Sequence, residues 1–196
     1  MRVFLTIIAL IAVMLIGWLI LRETATIEEK VIVSEKDLIN TPMQLTSSAF
    51  EHNALIPLRY TCDSDRATNP PLSISGVPKE AKSLALIMDD PDVPKQIRPD
   101  GVFDHWVLFD IPAATREILE ETNLGTLGVN TGGRNAYAGP CPPPQYEPVE
   151  HRYVFRLYAL DTDLALGAKA AKKEVLEAMQ EHILVEAELV GRYKRQ

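Results

Sequence analysis

The chain has 196 residues, 46% of them hydrophobic, enough for one domain with a real core and an N-terminal appendage. A net charge of −7 argues against nucleic acid as a partner, because phosphate-backbone binding needs clustered Lys and Arg and no basic stripe is present. Fourteen prolines, most of them between residues 57 and 148, predict rigid loops rather than long helices.

Residues 1–22 form a separate object. Arg2 precedes a charge-free run over residues 3–21, and Arg22 closes it. At helical rise the run is about 28 Å long, near the thickness of a bilayer core. It predicts one N-terminal transmembrane helix that serves as an uncleaved signal anchor. The alternative is a signal peptide, with the domain secreted after cleavage, although Arg22-Glu23-Thr24-Ala25 is a poor cleavage site. No cysteine follows the run, which disfavours a lipoprotein anchor. The flanking charges favour the amino terminus inside and the domain outside, by a small margin. Residues 23–42 read as a linker whose one apolar patch is Val31-Ile32-Val33. That patch alternatively forms a short strand or helix on the domain edge. Residues 43–196 are the domain.

Within it, the apolar run over residues 83–88 reads as a buried strand ending at Asp89-Asp90-Pro91. The proline holds Asp90 extended and stops the ladder. Residues 106–111 read as a second strand closed by Pro112, and residues 153–160 as a third. Residues 113–121 favour a short helix. Ala171, Val175, Ala178 and Met179 follow a helical stripe. Residues 183–190 alternate Glu186 and Glu188 with Val185, Ala187 and Leu189, which is a final strand. Many strands and few helices indicate a mainly β domain.

Four islands carry the chemistry. They are Asp90-Pro91-Asp92-Val93-Pro94, Asp104-His105-Trp106, Tyr137-Ala138-Gly139-Pro140-Cys141-Pro142-Pro143 and His151-Arg152-Tyr153. Each flanks an apolar run, and groups at strand ends and on rigid loops converge on clefts. His105 and His151 each open a strand. Either one alone reads as a histidine hydrogen-bonded at a sheet edge, but two at two strand starts favour a site. Asp90 and Asp92 read as an Asx turn, or Asp90 accepts a proton from an imidazole and sets its tautomer. A carboxylate beside an anion is tolerated if it binds imidazolium, stays protonated, or meets the ammonium of a zwitterionic head group. Gly139 permits close backbone approach, the prolines hold the loop open, and backbone amides there can form an anion nest. Arg134 is a candidate phosphate ligand. His52 and His182 read as structural.

Cys62 and Cys141 are two unrelated thiols in a cytosolic chain, or a disulfide in an exported one. No metal-type Cys-x-x-Cys, His-x-x-x-His or Gly-x-Ser-x-Gly pattern occurs, so no metal, cofactor or serine nucleophile is expected.

In order along the chain, these islands resemble the phosphatidylethanolamine-binding protein family, in its bacterial Raf-kinase-inhibitor-like branch. Further likeness lies in Met43-Gln44-Leu45-Thr46-Ser47, Tyr60-Thr61-Cys62-Asp63, Asn69-Pro70-Pro71-Leu72, Gly76-Val77-Pro78 and Glu186-Ala187-Glu188-Leu189-Val190-Gly191. The resemblance covers roughly residues 43–193. It implies a β-sandwich of Greek-key type with peripheral helices. It implies a pocket for a small anionic ligand or phospholipid head group, formed by Asp90, Asp92, Pro94, His105, Tyr137, Gly139, Pro140 and His151. It adds weight to a Cys62–Cys141 disulfide and to a periplasmic domain. Kinase or protease modulation is implied only weakly, since fold kinship does not transfer partners. A homodimer is compatible with the chain. Two other classes stay open: a hydrolytic or metal-assisted enzyme using the same histidines, and an envelope interaction protein with a vestigial pocket.

Overall fold

Residues 42–195 alternate and break into β1 (Gln44–Thr46), β2 (Leu72–Ser75), β3 (Ser83–Asp90), β4 (Phe103–Pro112), β5 (Glu117–Ile118), β6 (Thr126–Leu127), β7 (Glu150–Leu160), the helix α1 (Lys172–Met179) and β8 (Ile183–Lys194). This is a computed structural model, and it describes residue 18 and residues 42–195. The expected membrane anchor and linker therefore lie outside the described residues, Trp18 and Pro42 apart. Among the described residues no helix is long and apolar enough to cross a membrane.

Two antiparallel sheets form the domain, one in the order β1-β2-β5 and one in the order β6-β4-β3-β7-β8. In the larger sheet the fourth strand, β7, returns to lie beside the first, β3, which is the Greek-key relation. All eight residues of β3 are buried, so its middle, residues 84–88, reads as an unbroken apolar run rather than an alternation. Leu84, Leu86 and Met88 face the core shared with the smaller sheet. Ala85 and Ile87 face an outer layer capped by Val175 and Met179 of α1. The inner core joins Leu45, Leu72, Ile74 and Ile118 of the small sheet to Trp106, Leu108, Phe155 and Leu157 of the large one. Burying side chains of this size stabilises by about 1.5–3 kcal/mol each.

The expected helix over residues 113–121 is not formed. A turn closes there, with the Thr115 amide donating to the Pro112 carbonyl, and β5 follows. Leu72 and Ser73 pair with Ile118 and Glu117, and Ile118 is fully buried. Pairing and burial override a modest helix preference. The strands also run further than the apolar runs suggest. The ladder continues to Asp90↔Phe103 and Glu150↔Lys194, so His105 and His151 sit inside strands rather than ahead of them.

Candidate functional site

The central strand β3 ends where its two neighbours, β4 and β7, begin. Side chains at those three ends meet if they share a face. On β3, Asp90 has the parity of Leu84, Leu86 and Met88, so it points to the inner face. On β7, His151 has the parity of Tyr153 and Phe155, also inner. On β4, strict alternation from Trp106 and Leu108 would send His105 outward. It does not, because the register slips: Met88 pairs with Trp106 but Asp89 pairs with Asp104. His105 is the extra residue of a β-bulge, and the bulge re-aims it. Its ring lies 5.2 Å from that of Tyr153, edge-on, and 4.7 Å from that of Phe103.

The three groups are deeply buried: Asp90 is 3% exposed, His105 5% and His151 1%. They form the floor of a cavity of about 540 Å³. Val93, Ile97, Arg98 and Phe103 line one wall, and Ala138, Gly139, Cys141 and Pro143 the other, with Thr131 between.

The polar geometry of the floor is specific. His151 Nδ1 lies 2.6 Å from Asp90 Oδ2, so the ring donates its Nδ1 proton to the carboxylate. The other carboxylate oxygen accepts the Asp92 amide at 2.9 Å. His151 Nε2 is buried without a hydrogen-bond partner. His105 donates from Nδ1 to the Ala138 carbonyl at 2.7 Å, and Ala138 returns its amide to the His105 carbonyl. Burial pushes the His105 pKa below the ordinary imidazole value, against the opposing pull of Ala138 and the nearby carboxylates. His105 is therefore neutral, with Nε2 as its lone-pair nitrogen. The Tyr153 hydroxyl is buried beside Asp90 and Cys141 with no hydrogen bond of ordinary geometry. Burial, then the Asp90 charge, pushes its pKa far up, so it stays protonated.

Of the residues expected at the site, Asp90, His105, Gly139 and His151 line the cavity. Asp92, Pro94, Tyr137 and Pro140 do not; they build its frame. Asp92 grips Arg152 through two side-chain hydrogen bonds, at 2.6 and 2.8 Å, and accepts its amide. Those bonds hold the Asp92 pKa below the ordinary carboxylate value, against partial burial. The Pro94 carbonyl turns the next loop by accepting the amides of Ile97 and Arg98. Tyr137 donates its hydroxyl to the Tyr60 carbonyl at 2.8 Å and stacks edge-on against Trp106. The Pro140 carbonyl accepts the Cys62 amide. Gly139 is needed for the same seam, since a Cβ there would stand 2.9 Å from the Thr61 carbonyl carbon. The close approach expected for a ligand is thus made at least partly by the chain itself. Cys62 and Cys141 are disulfide-bonded, with Cα atoms 5.4 Å apart.

The cation on the wall is Arg98, not Arg134, which is exposed and does not line the cavity. Arg98 donates to the Val102 carbonyl at 2.7 Å and to Asp100 at 2.8 Å. It sits in an irregular loop, where no periodicity marks a residue in advance. A second network lies on the outer face of the bulge: Lys172 reaches Asp89 at 2.7 Å and Asp104 at 2.8 Å, and Arg156 also contacts Asp89. Among the described residues no group of three metal-ligating side chains forms a metal site.

The family model for phosphatidylethanolamine-binding protein matches residues 46–194. A UPF0098 protein of Methanothermobacter thermautotrophicus is 49% identical over 160 residues, spanning 78% of this chain and 99% of the relative. A UPF0098 protein of Chlamydia trachomatis is 43% identical over 154 residues, with the same coverage. Among solved structures, a putative phosphatidylethanolamine-binding protein homologue of C. trachomatis superimposes with a TM-score of 0.75 at 42% identity, covering 79% of this chain and 99% of that one. YbcL of E. coli, described as a new member of the mammalian family, shares the fold with a TM-score of 0.70 at 23% identity, over 80% of this chain and 100% of YbcL.

Proposed function

Since the chain belongs to the phosphatidylethanolamine-binding protein family, whose members bind ligands such as phospholipid head groups, we propose that its cavity binds a small phosphate-bearing or otherwise anionic ligand through His151, His105 and Asp90. The observation that carries the reading is the buried His151 Nε2 with no partner. A buried polar atom left unpaired costs about 1–3 kcal/mol, and a ligand oxygen at the cavity floor would recover it. One proton between Nε2 and a phosphate oxygen makes that bond, whichever partner carries it. Asp90 suits a zwitterionic head group as well, because its carboxylate can meet an ammonium. Thermal melting tests this. Inorganic phosphate or phosphoethanolamine at a hundredfold over Kd should raise Tm by roughly 5–10 °C. No shift with either, in a protein that melts cooperatively, overturns the reading.

A second reading is favoured by the same pair. A histidine oriented by a carboxylate with its far nitrogen unpaired is the arrangement of a general base. Turnover of p-nitrophenyl phosphate that is lost in His151→Ala would make the protein an enzyme, and its absence leaves a binding protein.

We place the domain outside the cytoplasm. The support is the disulfide, whose cysteines are both exposed and would be reduced in a cytosol. Alkylation of the denatured, unreduced protein from cells should label neither cysteine.

A further inference from the structure

Two registers are open to the cavity end of β3 and β4. Met88 pairs with Trp106, and an unbroken ladder would continue with Asp89 opposite His105. In that register alternation sends His105 to the outer face with Asp89, and Asp104 to the inner face with Asp90. The observed register sets Asp89 opposite Asp104, keeps one extra residue in β4 and turns His105 into the cavity. It also sets two carboxylates face to face, which is unfavourable. A compensating interaction must therefore favour it over the regular ladder.

We infer that Lys172 is a positioning residue of the anion site: by bridging Asp89 and Asp104 it clamps the bulged register and so keeps His105 on the cavity floor. This deepens the anion-binding reading and rests on it. The bridge is possible in one register only. In the bulged ladder both carboxylates lie on the outer face, where Lys172 Nζ meets Asp89 at 2.7 Å and Asp104 at 2.8 Å. In the regular ladder Asp104 would point away from the lysine. Asp89 is 4% exposed and needs a cation, and charge-assisted bonds of this kind are stronger than neutral ones. Arg156, the other cation on Asp89, also reaches Glu188, so it ties β3 to β8 and not to β4.

The start of α1 is fixed against the same strand end. The Gly128 amide donates to the Val107 carbonyl of β4 and the Val129 amide to the Ala170 carbonyl, both at 2.9 Å. Gly128 is required in that seam, because a Cβ would stand 2.6 Å from the Ala170 oxygen and 2.7 Å from Val107 Cγ1. The segment then brings Thr131, a cavity residue, onto Asp104. The Thr131 amide donates to the Asp104 carbonyl at 3.0 Å, and its hydroxyl oxygen accepts the Asp104 amide at 2.8 Å. Lys172 thus holds the chain neighbour of Asp90, the chain neighbour of His105 and the residue that seats Thr131, all from outside the cavity.

Two measurements on the full chain test this: isothermal titration with inorganic phosphate, and the NMR signal of the His105 ring without ligand, assigned by its loss in His105→Gln. Lys172→Met should weaken phosphate binding about tenfold, inside the usual span of coupling between sites, and move the ring signal. Lys172→Arg keeps the charge and can fork across both carboxylates, so it should restore the signal and hold affinity within about threefold. Asp104→Ala guards against a Lys172→Met chain that fails to fold. It removes the β4 end of the clamp, leaves Lys172 paired with Asp89, and should weaken binding as Lys172→Met does. Met179→Ala opens the outer core at the far end of α1 without touching a charge. It should lower Tm but keep affinity within about threefold. Unchanged affinity in both Lys172→Met and Asp104→Ala overturns the clamp while the anion site stands. An equal loss in Met179→Ala overturns it as well, since any softening of α1 would then suffice. If the wild type binds no phosphate, the anion reading fails and the ring signal alone decides: a signal unmoved in both clamp variants overturns the positioning role.

Discussion

Asp89 and Asp104 stand directly across from one another on β3 and β4, and Lys172 of α1 bridges them at 2.7 and 2.8 Å. Two facing carboxylates repel. The lysine removes that repulsion at the step where the bulge turns His105 inward. Burial opposes the Lys172 charge, but hydrogen bonds to Asp104 and Asp89 outweigh it and hold its pKa above the ordinary value. The outer helix and the inner site are thus joined through one backbone irregularity.

Removing that cation should be costly. Lys172→Met is expected to destabilise by about 2–3 kcal/mol, less than a fully buried pair because the side chain keeps 20% exposure. The double variant Lys172→Met, Asp104→Asn should recover part of the loss, as it removes a facing charge. Urea unfolding measures both. Equal losses in the two would show that packing, not charge, is what Lys172 supplies.

An apolar run made β3 legible, and alternation made β7 and β8 legible, because each long strand keeps one face to the core. It could not show the bulge. By alternation from Trp106, His105 belongs to the outer face, and the extra residue has no signature in residue type. Lys172 reads as the solvent side of an amphipathic helix, and only the fold brings Asp89 and Asp104 beneath it. Asp90 and His151 were legible because a proline and an apolar run mark where their strands end. Arg98 and Thr131 lie on loops, whose paths depend on contacts far along the chain. Residues 113–121 failed for the converse reason, since local preference was clear and the pairing with β2 overrode it.

Acid should weaken the fold through His105. Its folded pKa lies below the unfolded value, so the unfolded chain binds more protons in the window between them. Stability therefore falls as pH drops below about 6.5, by up to ~1.4 kcal/mol per pH unit until the folded pKa is reached. His105→Gln should remove this component. The measurement is the wild-type minus variant unfolding free energy at pH 7.5 and 5.5, and an unchanged difference would contradict the burial argument.

The disulfide should contribute stability more than site geometry. It closes a sequence separation of 79, for which the chain-entropy model gives about 4.5 kcal/mol. Three non-covalent ties run beside it: Tyr137 to Tyr60, Cys62 to Pro140, and Gly139 against Thr61. Cys62→Ser, Cys141→Ser should lower Tm markedly and keep phosphate affinity within about threefold, the disulfide being distant in function from the floor. Loss of binding in a folded double variant would show that the covalent tie seats the wall.

The last prediction separates the two roles of Asp90. One of its oxygens accepts the Asp92 amide at 2.9 Å, and the other accepts the His151 Nδ1 proton at 2.6 Å. An Asn at this position has a single oxygen, which the Asp92 amide claims. Its NH₂ group then faces His151 Nδ1, and the imidazole must accept there and carry its proton on Nε2. In the wild type the proton sits on Nδ1, so binding a phosphate dianion, the dominant species of inorganic phosphate from about pH 8 upward, takes up one proton at Nε2 or on the phosphate. Affinity for inorganic phosphate should therefore fall about tenfold per pH unit between about pH 8 and 9. In Asp90→Asn the Nε2 proton is already in place, and the profile should flatten. Titration at several pH values reads the slope, and the imidazole nitrogen shifts read the tautomer. Equal slopes in the two proteins would mean that the phosphate does not bind through His151 Nε2.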